Sequence, residues 1–234
     1  MVYGFRPAAV DIPVAAPIDA AHGVDPAEPR TTLEVPSVEV IDRILKLFED
    51  KKKSSDVVLV LDTSGSMHEE HKLDNAKIGA KQLVSLLGDA DVFSLLPFNQ
   101  NLNWAGQDLS LKDQRDKLNS LLDSLFPQGG TALYDSIDAA FQHLAARPER
   151  GRKIQAVVVL TDGADTESKT RLEDLMNRIR FDGETRTVRV FTIAYGNDAR
   201  KDILQQIAEA TQAKSYVGNP QNIVGVFRDI STFF

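Results

Sequence analysis

Two carboxylates and three hydroxyls in this 234-residue sequence have the types and order expected of a divalent-cation site. Asp62, Ser64 and Ser66 stand at alternate positions, so one turning loop can aim all three side chains in one direction. Thr131 follows two glycines, and Asp162 comes later, directly before Gly163. All five side chains offer oxygen, the ligand that a hard cation such as Mg²⁺ prefers.

Predicted strands and helices position these residues. Asp62 follows an apolar run over 57–61, Asp162 follows a second run over 154–160 with Thr161 between, and Thr131 precedes a predicted helix over 132–146. Strands that are apolar on both faces and alternate with helices predict an α/β fold, doubly wound around a mainly parallel sheet covered on both sides. In such sheets ligands bind at the carboxyl ends of the strands, where these residues stand.

The remaining pattern extends this fold. An edge strand, which could run antiparallel, is predicted near 104–109. The other predicted strands cover 91–98, 188–194 and 215–217, and the other predicted helices cover 72–87, 112–125, 172–179, 201–210 and 222–233.

Composition divides the chain into three parts. Six of the ten prolines fall in the first 36 residues, which also hold many alanines. We therefore predict an extended arm over 1–36, a linking helix over 37–53 and the α/β domain over 54–234.

Charge and hydrophobicity exclude several classes of protein. The formal net charge is −7, and the longest basic run is the three lysines at 51–53, so nucleic acid is not an expected partner. No apolar run reaches the roughly 18 residues of a spanning helix, so we expect no membrane insertion by this chain. The sequence has no cysteine, which excludes disulfides and thiolate metal sites.

The candidate residues resemble the metal-ion-dependent adhesion site of von Willebrand factor type A domains. That family's pattern is Asp-x-Ser-x-Ser, then a distant Thr, then a distant Asp usually followed by Gly. The resemblance covers roughly residues 54–234 and includes the strand that ends in Tyr195-Gly196. The matching positions, in the family's order, are Asp62, Ser64, Ser66, Thr131 and Asp162.

The resemblance implies a Rossmann-like fold and a non-catalytic module that binds a protein partner through Mg²⁺, or through Mn²⁺ or Ca²⁺. In the family the serines, and in the ligand-bound form the threonine, typically coordinate the metal directly, while the aspartates often act through water. The cation then stays under-neutralised and accepts an acidic group from the partner. The alternative within the same family is an assembly-subunit domain of a multi-protein machine.

The arm has a resemblance of its own. Tyr3-Gly4-Phe5-Arg6-Pro7 and the Ala/Pro-rich run that follows resemble the join, in certain bacterial proteins, between a solute-binding-protein-like region and a type A domain. This implies that the chain is part of a longer, extracytoplasmic polypeptide, at the cell surface or secreted. A chain complete in itself would instead fit the cytoplasm.

A hydrolase is the alternative from another class, with Asp62 as a nucleophile toward phosphate. Aspartate-based phosphotransferases place a second Asp two residues later as general acid, and the hydroxyl of Ser64 cannot do that work. Neither a nucleophile-elbow motif nor a phosphate-cradling Gly-rich loop with Lys is present. We therefore expect no enzymatic activity.

Other conspicuous residues near the site have plainer interpretations. The two histidines in His68-Glu69-Glu70-His71 are three apart, whereas the zinc helix motif has them four apart, so we expect a solvated loop. Asp165 is expected to serve loop or cap chemistry, and Trp104 to pack near a sheet edge.

Overall fold

The computed structural model describes residues 16, 19–22, 36–51, 53–147, 153–181 and 188–234. The chain divides into two compact units, Met1–Lys52 and Lys53–Phe234. The first contains a short 3-10 helix, Ala20–His22, and helix α1, Val38–Lys51. Most of the predicted arm over 1–36, including the 3–7 join, lies outside the described residues.

The second unit is built on a six-stranded sheet in the order β3-β2-β1-β4-β5-β6. Every neighbouring pair is parallel except β2 and β3, which are antiparallel. The predicted mainly parallel sheet, with an antiparallel strand at one edge, is therefore confirmed. The strands are β1 Ser55–Asp62, β2 Val92–Phe98, β3 Gly106–Ser110, β4 Ile154–Thr161, β5 Arg189–Tyr195 and β6 Ser215–Gly218.

Helices cover both faces of this sheet, as the sequence predicts. Helices α2, α3 and α7 pack on one face and α4, α5 and α6 on the other. A 3-10 segment, Gly65–His71, connects β1 to α2. The helices are α2 Lys72–Leu86, α3 Leu111–Asp123, α4 Leu133–Ala145, α5 Leu172–Ile179, α6 Lys201–Ala210 and α7 Ile223–Ser231.

The central strand β1 shows why the strands read as continuous apolar runs. Val57, Leu59 and Leu61 belong to the core on the α2 side, whereas Val58 and Val60 belong to the core on the α4 side. Successive side chains of a strand point to opposite faces, so a strand covered on both faces needs an apolar residue at every position.

The register of the strands gathers their carboxyl ends at one rim. Asp62 of β1 pairs with Phe98 of β2, and Leu61 pairs with Leu160 of β4. The residues that directly follow β1 and β4 therefore lie side by side although they are far apart in sequence. No helix among the described residues is long and apolar enough to cross a membrane.

Helix α7 ends earlier than its apolar pattern predicts. The helix stops at Ser231, and the amides of Phe233 and Phe234 bond to carbonyls three residues back, at Ile230 and Ser231. Such bonds belong to a tight turn. The turn brings Phe233 and Phe234 onto Phe191 of β5, with ring centroids 5.0 and 6.0 Å apart.

Helices α2 and α7 approach closely at Gly79, which yields a test of this packing. A Cβ atom on Gly79 would lie 2.5 Å from Cδ2 of Phe227, a ring that is fully buried and cannot move aside. We expect Gly79→Ala to lower the free energy of unfolding by about 1–3 kcal/mol, despite the better helix propensity of alanine. Urea unfolding measures this difference.

The matched control is Ser85→Ala, at an exposed position on the same helix. It should change stability by no more than about 0.5 kcal/mol. A Gly79→Ala protein as stable as the control would contradict the close packing of α2 on α7.

Candidate metal centre

The five predicted residues lie at the carboxyl rim of the sheet. Asp62 ends β1, Ser64 and Ser66 stand in the segment that follows, and Asp162 comes directly after β4. Hydrogen bonds join these four residues into one cluster. Thr131 lies just before α4 and next to the cluster. Its Oγ1 would be 3.9 Å from a Cβ atom on Gly163, the residue that follows Asp162.

Asp62 is fully buried at the base of this cluster. Its Oδ1 accepts from the amide of Ser64 at 2.7 Å, and its Oδ2 accepts from Oγ1 of Thr161 at 2.5 Å. Burial raises the pKa of Asp62 to about 6, and the charge of Asp162 adds to this increase. The hydrogen bonds from Thr161 and Ser64 lower the pKa, but by less. Asp62 therefore joins the serine segment to the end of β4, with one oxygen bonded to each.

The serine hydroxyls have the spacing that one small cation requires. Oγ of Ser66 donates to Oδ1 of Asp162 at 2.7 Å, so Oγ of Ser64, 3.1 Å away, donates to Ser66. Neighbouring ligands of an octahedral Mg²⁺ at 2.0–2.1 Å are about 3 Å apart. Ser64 is buried and Ser66 is exposed, so the cluster opens to solvent on the Ser66 side.

The loop carrying Thr131 is tied to both carboxylate segments. The amide of Gly65 donates to the carbonyl of Gly129 at 2.9 Å. Gly129 has a φ of +76°, a conformation that favours glycine, and a Cβ atom there would also displace the Gln100 side chain, whose Oε1 would lie 1.8 Å away. On the other side, the amide of Thr131 donates to Oγ1 of Thr166 at 3.0 Å, and its carbonyl accepts from the Thr166 amide at 2.8 Å.

Asp165 caps the helix that follows Thr131, which confirms the expected cap role. Its Oδ1 accepts from the amides of Leu133 and Tyr134, at 2.8 and 3.3 Å, and from Oγ of Ser168 at 2.5 Å. The residue at the N-cap position, Ala132, has no side chain able to do this. The loop after β4 thus holds α4, and with it Thr131, at the rim.

Lys72 is the residue of this site that the sequence pattern did not identify. Its Nζ donates to Oδ2 of Asp162 at 2.8 Å, and the two side chains are only 7% and 0% exposed. Burial lowers the pKa of Lys72, but the bond and charge of Asp162, with a smaller contribution from Glu69, raise it above its ordinary value. One signal was available in the sequence, because helical spacing places Lys72 on the buried face of α2, in line with Ala76 and Ala80.

Two histidines lie in the Gly65–His71 segment next to the cluster. Across the described part of the chain, no group of three or more His, Cys, Asp or Glu side chains is placed to hold a metal ion. His68 and His71 are exposed, as expected, although their segment is a kinked 3-10 helix rather than a loop. Trp104 packs beside the edge strand β3 as predicted, with its ring centroid 4.9 Å from that of His143.

The raised pKa of Asp62 predicts how the metal-free protein responds to pH. The unfolded carboxyl has a pKa near 4, so the stability that neutral Asp62 provides is complete below about pH 4 and is lost as the pH rises through about 6. We expect Asp62→Asn to raise the free energy of unfolding of chelator-treated protein by about 1–3 kcal/mol at pH 7.5, and by much less at pH 4. Urea unfolding at both pH values measures this.

Asparagine suits the position, because its oxygen can face the Ser64 amide while Thr161, a hydroxyl, accepts from its NH₂ group. Asp116→Asn, an exposed change on α3, is the matched control and should behave alike at both pH values. If Asp62→Asn destabilised the metal-free protein at pH 7.5, burial would not be raising the pKa of this carboxyl.

Comparison with known proteins agrees with the fold and covers most of the second unit. The von Willebrand factor type A domain family matches residues 56–226. A solved von Willebrand factor type A protein from Catenulispora acidiphila superposes with a TM-score of 0.65 at 24% identity, over 76% of this chain and 42% of that one. Proximal thread matrix protein 1 from the mussel byssus, with a zinc-occupied MIDAS motif, has a TM-score of 0.64 at 19% identity, over 86% and 53%.

A curated relative matches in sequence as well. The voltage-dependent calcium channel subunit alpha-2/delta-3 of Rattus norvegicus is 30% identical over 153 residues, which are 62% of this chain and 14% of that protein. The chain therefore spans only a small part of the length of the curated relative that it matches.

Proposed function

This chain belongs to the von Willebrand factor type A domain family, and on that premise we propose that it binds a protein partner through a divalent metal ion. The observation that carries the proposal is the pair of serine hydroxyls, 3.1 Å apart, above two buried carboxylates. The zinc-occupied motif of the mussel byssus protein supports a divalent cation in a similar fold. The proposed ligands and their supports are Asp62, Ser64, Ser66, Thr131 and Asp162.

The hydrogen bonds suggest how these residues share the work. Ser64 and Ser66 would hold the ion directly through Oγ, and Thr131 lies beside them. Both oxygens of Asp62, and both of Asp162, already accept hydrogen bonds from the chain. The carboxylates would therefore act through their remaining lone pairs or through water. The proposed cation is Mg²⁺, with Mn²⁺ or Ca²⁺ as substitutes of similar ligand preference.

The charges of the site indicate the chemistry of the partner. The charges of Asp62, Asp162 and Lys72 sum to a formal −1 at the buried base of the site, and the carboxylate of Glu69, 3.5 Å from the same ammonium, is exposed to solvent. A divalent ion held there keeps a net positive charge and, when bound, acts as a Lewis acid toward an incoming oxygen. A carboxylate on the partner fits this best. The role is non-catalytic, because Ser64 stands where an aspartate-based phosphotransferase needs a general acid.

Titration calorimetry of chelator-stripped protein with Mg²⁺ and Mn²⁺ tests the metal site. We expect wild type to bind one ion per chain, and Ser64→Ala/Ser66→Ala to give no measurable binding, because the double variant removes both direct ligands. The fold should survive, since Ser66 is exposed and neither hydroxyl packs in the core. Circular dichroism checks that.

The matched control is Ser85→Ala/Ser120→Ala, which removes two exposed hydroxyls bonded only to helix carbonyls. It should bind like wild type. Equal binding by the Ser64/Ser66 variant would place the cation elsewhere, and a wild type that binds neither ion at millimolar concentration, whether an acidic peptide is present or absent, would overturn the metal-dependent function.

Peptide arrays test the chemistry of the partner. We expect peptides containing Asp or Glu to bind in Mg²⁺ and to be released by a chelator, whereas the same peptides with Asn or Gln should not bind, since an amide carries no charge to neutralise the ion. Fluorescence of labelled protein on the array measures this. Binding that is indifferent to either change would contradict a metal–carboxylate contact.

A further inference from the structure

We propose that Lys72 sets the cation affinity of this rim, holding it low until an acidic partner arrives; the proposal rests on the metal-dependent function proposed above. Lys72 would position the carboxylate of Asp162 through their hydrogen bond, and its positive charge would lower the affinity of the site for a cation. It matches no position of the Asp-x-Ser-x-Ser, Thr and Asp pattern.

The first support is how Asp162 is divided between two donors. Nζ of Lys72 lies 2.8 Å from Oδ2, on the buried side, while Oγ of Ser66 lies 2.7 Å from Oδ1, on the side of the serines. With Oδ2 committed to the ammonium, only Oδ1 faces the proposed cation. Asp162 therefore cannot bind an ion with both oxygens while the ammonium stays in place, and the ammonium partly compensates its charge.

The second support is how firmly Lys72 is held. The hydroxyl of Tyr195 donates to the carbonyl of Lys72 at 3.1 Å in a buried position. The side chain passes close to the backbone of Gly196, where a Cβ atom would lie 3.6 Å from Cε and 3.9 Å from Nζ. The main chain of Lys72 is thus held in place, and its ammonium is positioned by bonds to Asp162 at 2.8 Å and to Glu69 at 3.5 Å.

The third support is that local structure does not favour a lysine here. Lys72 is the first residue of α2, where the helix dipole disfavours positive charge, and it is buried. The contact with Asp162 accounts for a lysine at this position.

These features give Lys72 a definite electrostatic effect. A fixed ammonium next to Asp162 repels an arriving divalent cation and weakens the carboxylate that would hold it. A partner carboxylate adds the missing negative charge, so cation and partner each strengthen the binding of the other. The rim would then bind both together more readily than the cation alone.

Calorimetric titration of Mn²⁺ and Mg²⁺ into wild type, Lys72→Met and Lys72→Arg tests the proposal without any partner. Methionine, an unbranched side chain one atom shorter, fills most of the same space and removes the charge, so we expect cation binding that is roughly tenfold tighter or more. Arginine keeps the charge, so the cation Kd of Lys72→Arg should stay within about threefold of the wild-type Kd. That difference is well below the roughly tenfold change in Kd that corresponds to about 1.4 kcal/mol. A purely structural role would instead weaken binding in Lys72→Met.

Thermal unfolding gives a second readout on the same proteins. Without metal, Lys72→Met should unfold at a lower temperature than wild type, because the charge of Asp162 loses its partner. Saturating Mn²⁺ should then raise its unfolding temperature by more than it raises that of wild type. Lys72→Gln, which retains a hydrogen-bond donor, serves if the methionine variant does not fold.

The outcomes separate this proposal from the one on which it rests. If wild type bound Mn²⁺ as tightly as the neutral variants, or more tightly, the role of Lys72 would be overturned and the metal-dependent function would stand. Absence of binding in wild type and in every variant would overturn the metal-dependent function and this proposal together. Tighter binding by the neutral variants, reversed in Lys72→Arg, would support both.

Discussion

The rim of this domain depends on keeping two carboxylates close together and out of water. The parallel pairing of β1 with β4 brings Asp62 and Asp162 to the same edge, whatever the loops around them do. Charges of like sign, buried side by side, destabilise a fold unless other groups compensate them. Thr161 and the Ser64 amide do so for Asp62, and Ser66 and Lys72 for Asp162. The candidate metal centre consists of these two carboxylates and the groups that compensate their charge.

A rigid frame and a few long-range bonds keep that arrangement in place. Two apolar cores, one on each face of the sheet, fix the strands from which the rim residues emerge. Hydrogen bonds then join the loops to one another across the rim. One links Gly65 to Gly129, and others link Thr131 to Thr166. Side chains placed by bonds of this kind are ordered before any ligand binds, which favours recognition.

Sequence reasoning reached the fold because strands buried on both faces leave an unbroken apolar signature, as β1 and β4 do. It also brought together the pattern residues, since they follow strands that a doubly wound sheet aligns. It missed Lys72, because the ion pair joins α2 to a residue 90 positions away. It also missed the 3-10 segment, since the left-handed φ of Glu70 and His71 leaves no periodic trace. The early end of α7 follows from aromatic contacts with β5, which again are long-range.

The antiparallel strand β3 has a consequence for how the molecule meets other copies of itself. An exposed sheet edge is a template for strand addition and hence for aggregation. Here the pairing of β2 with β3 shifts register between Phe93 and Leu95, and Asp108, with a φ of +52°, interrupts the extended backbone and pairs with Arg147. The opposite edge, β6, is only four residues long. Both borders of the described sheet are therefore poor templates, and strand addition by a second copy of the chain is disfavoured at either edge.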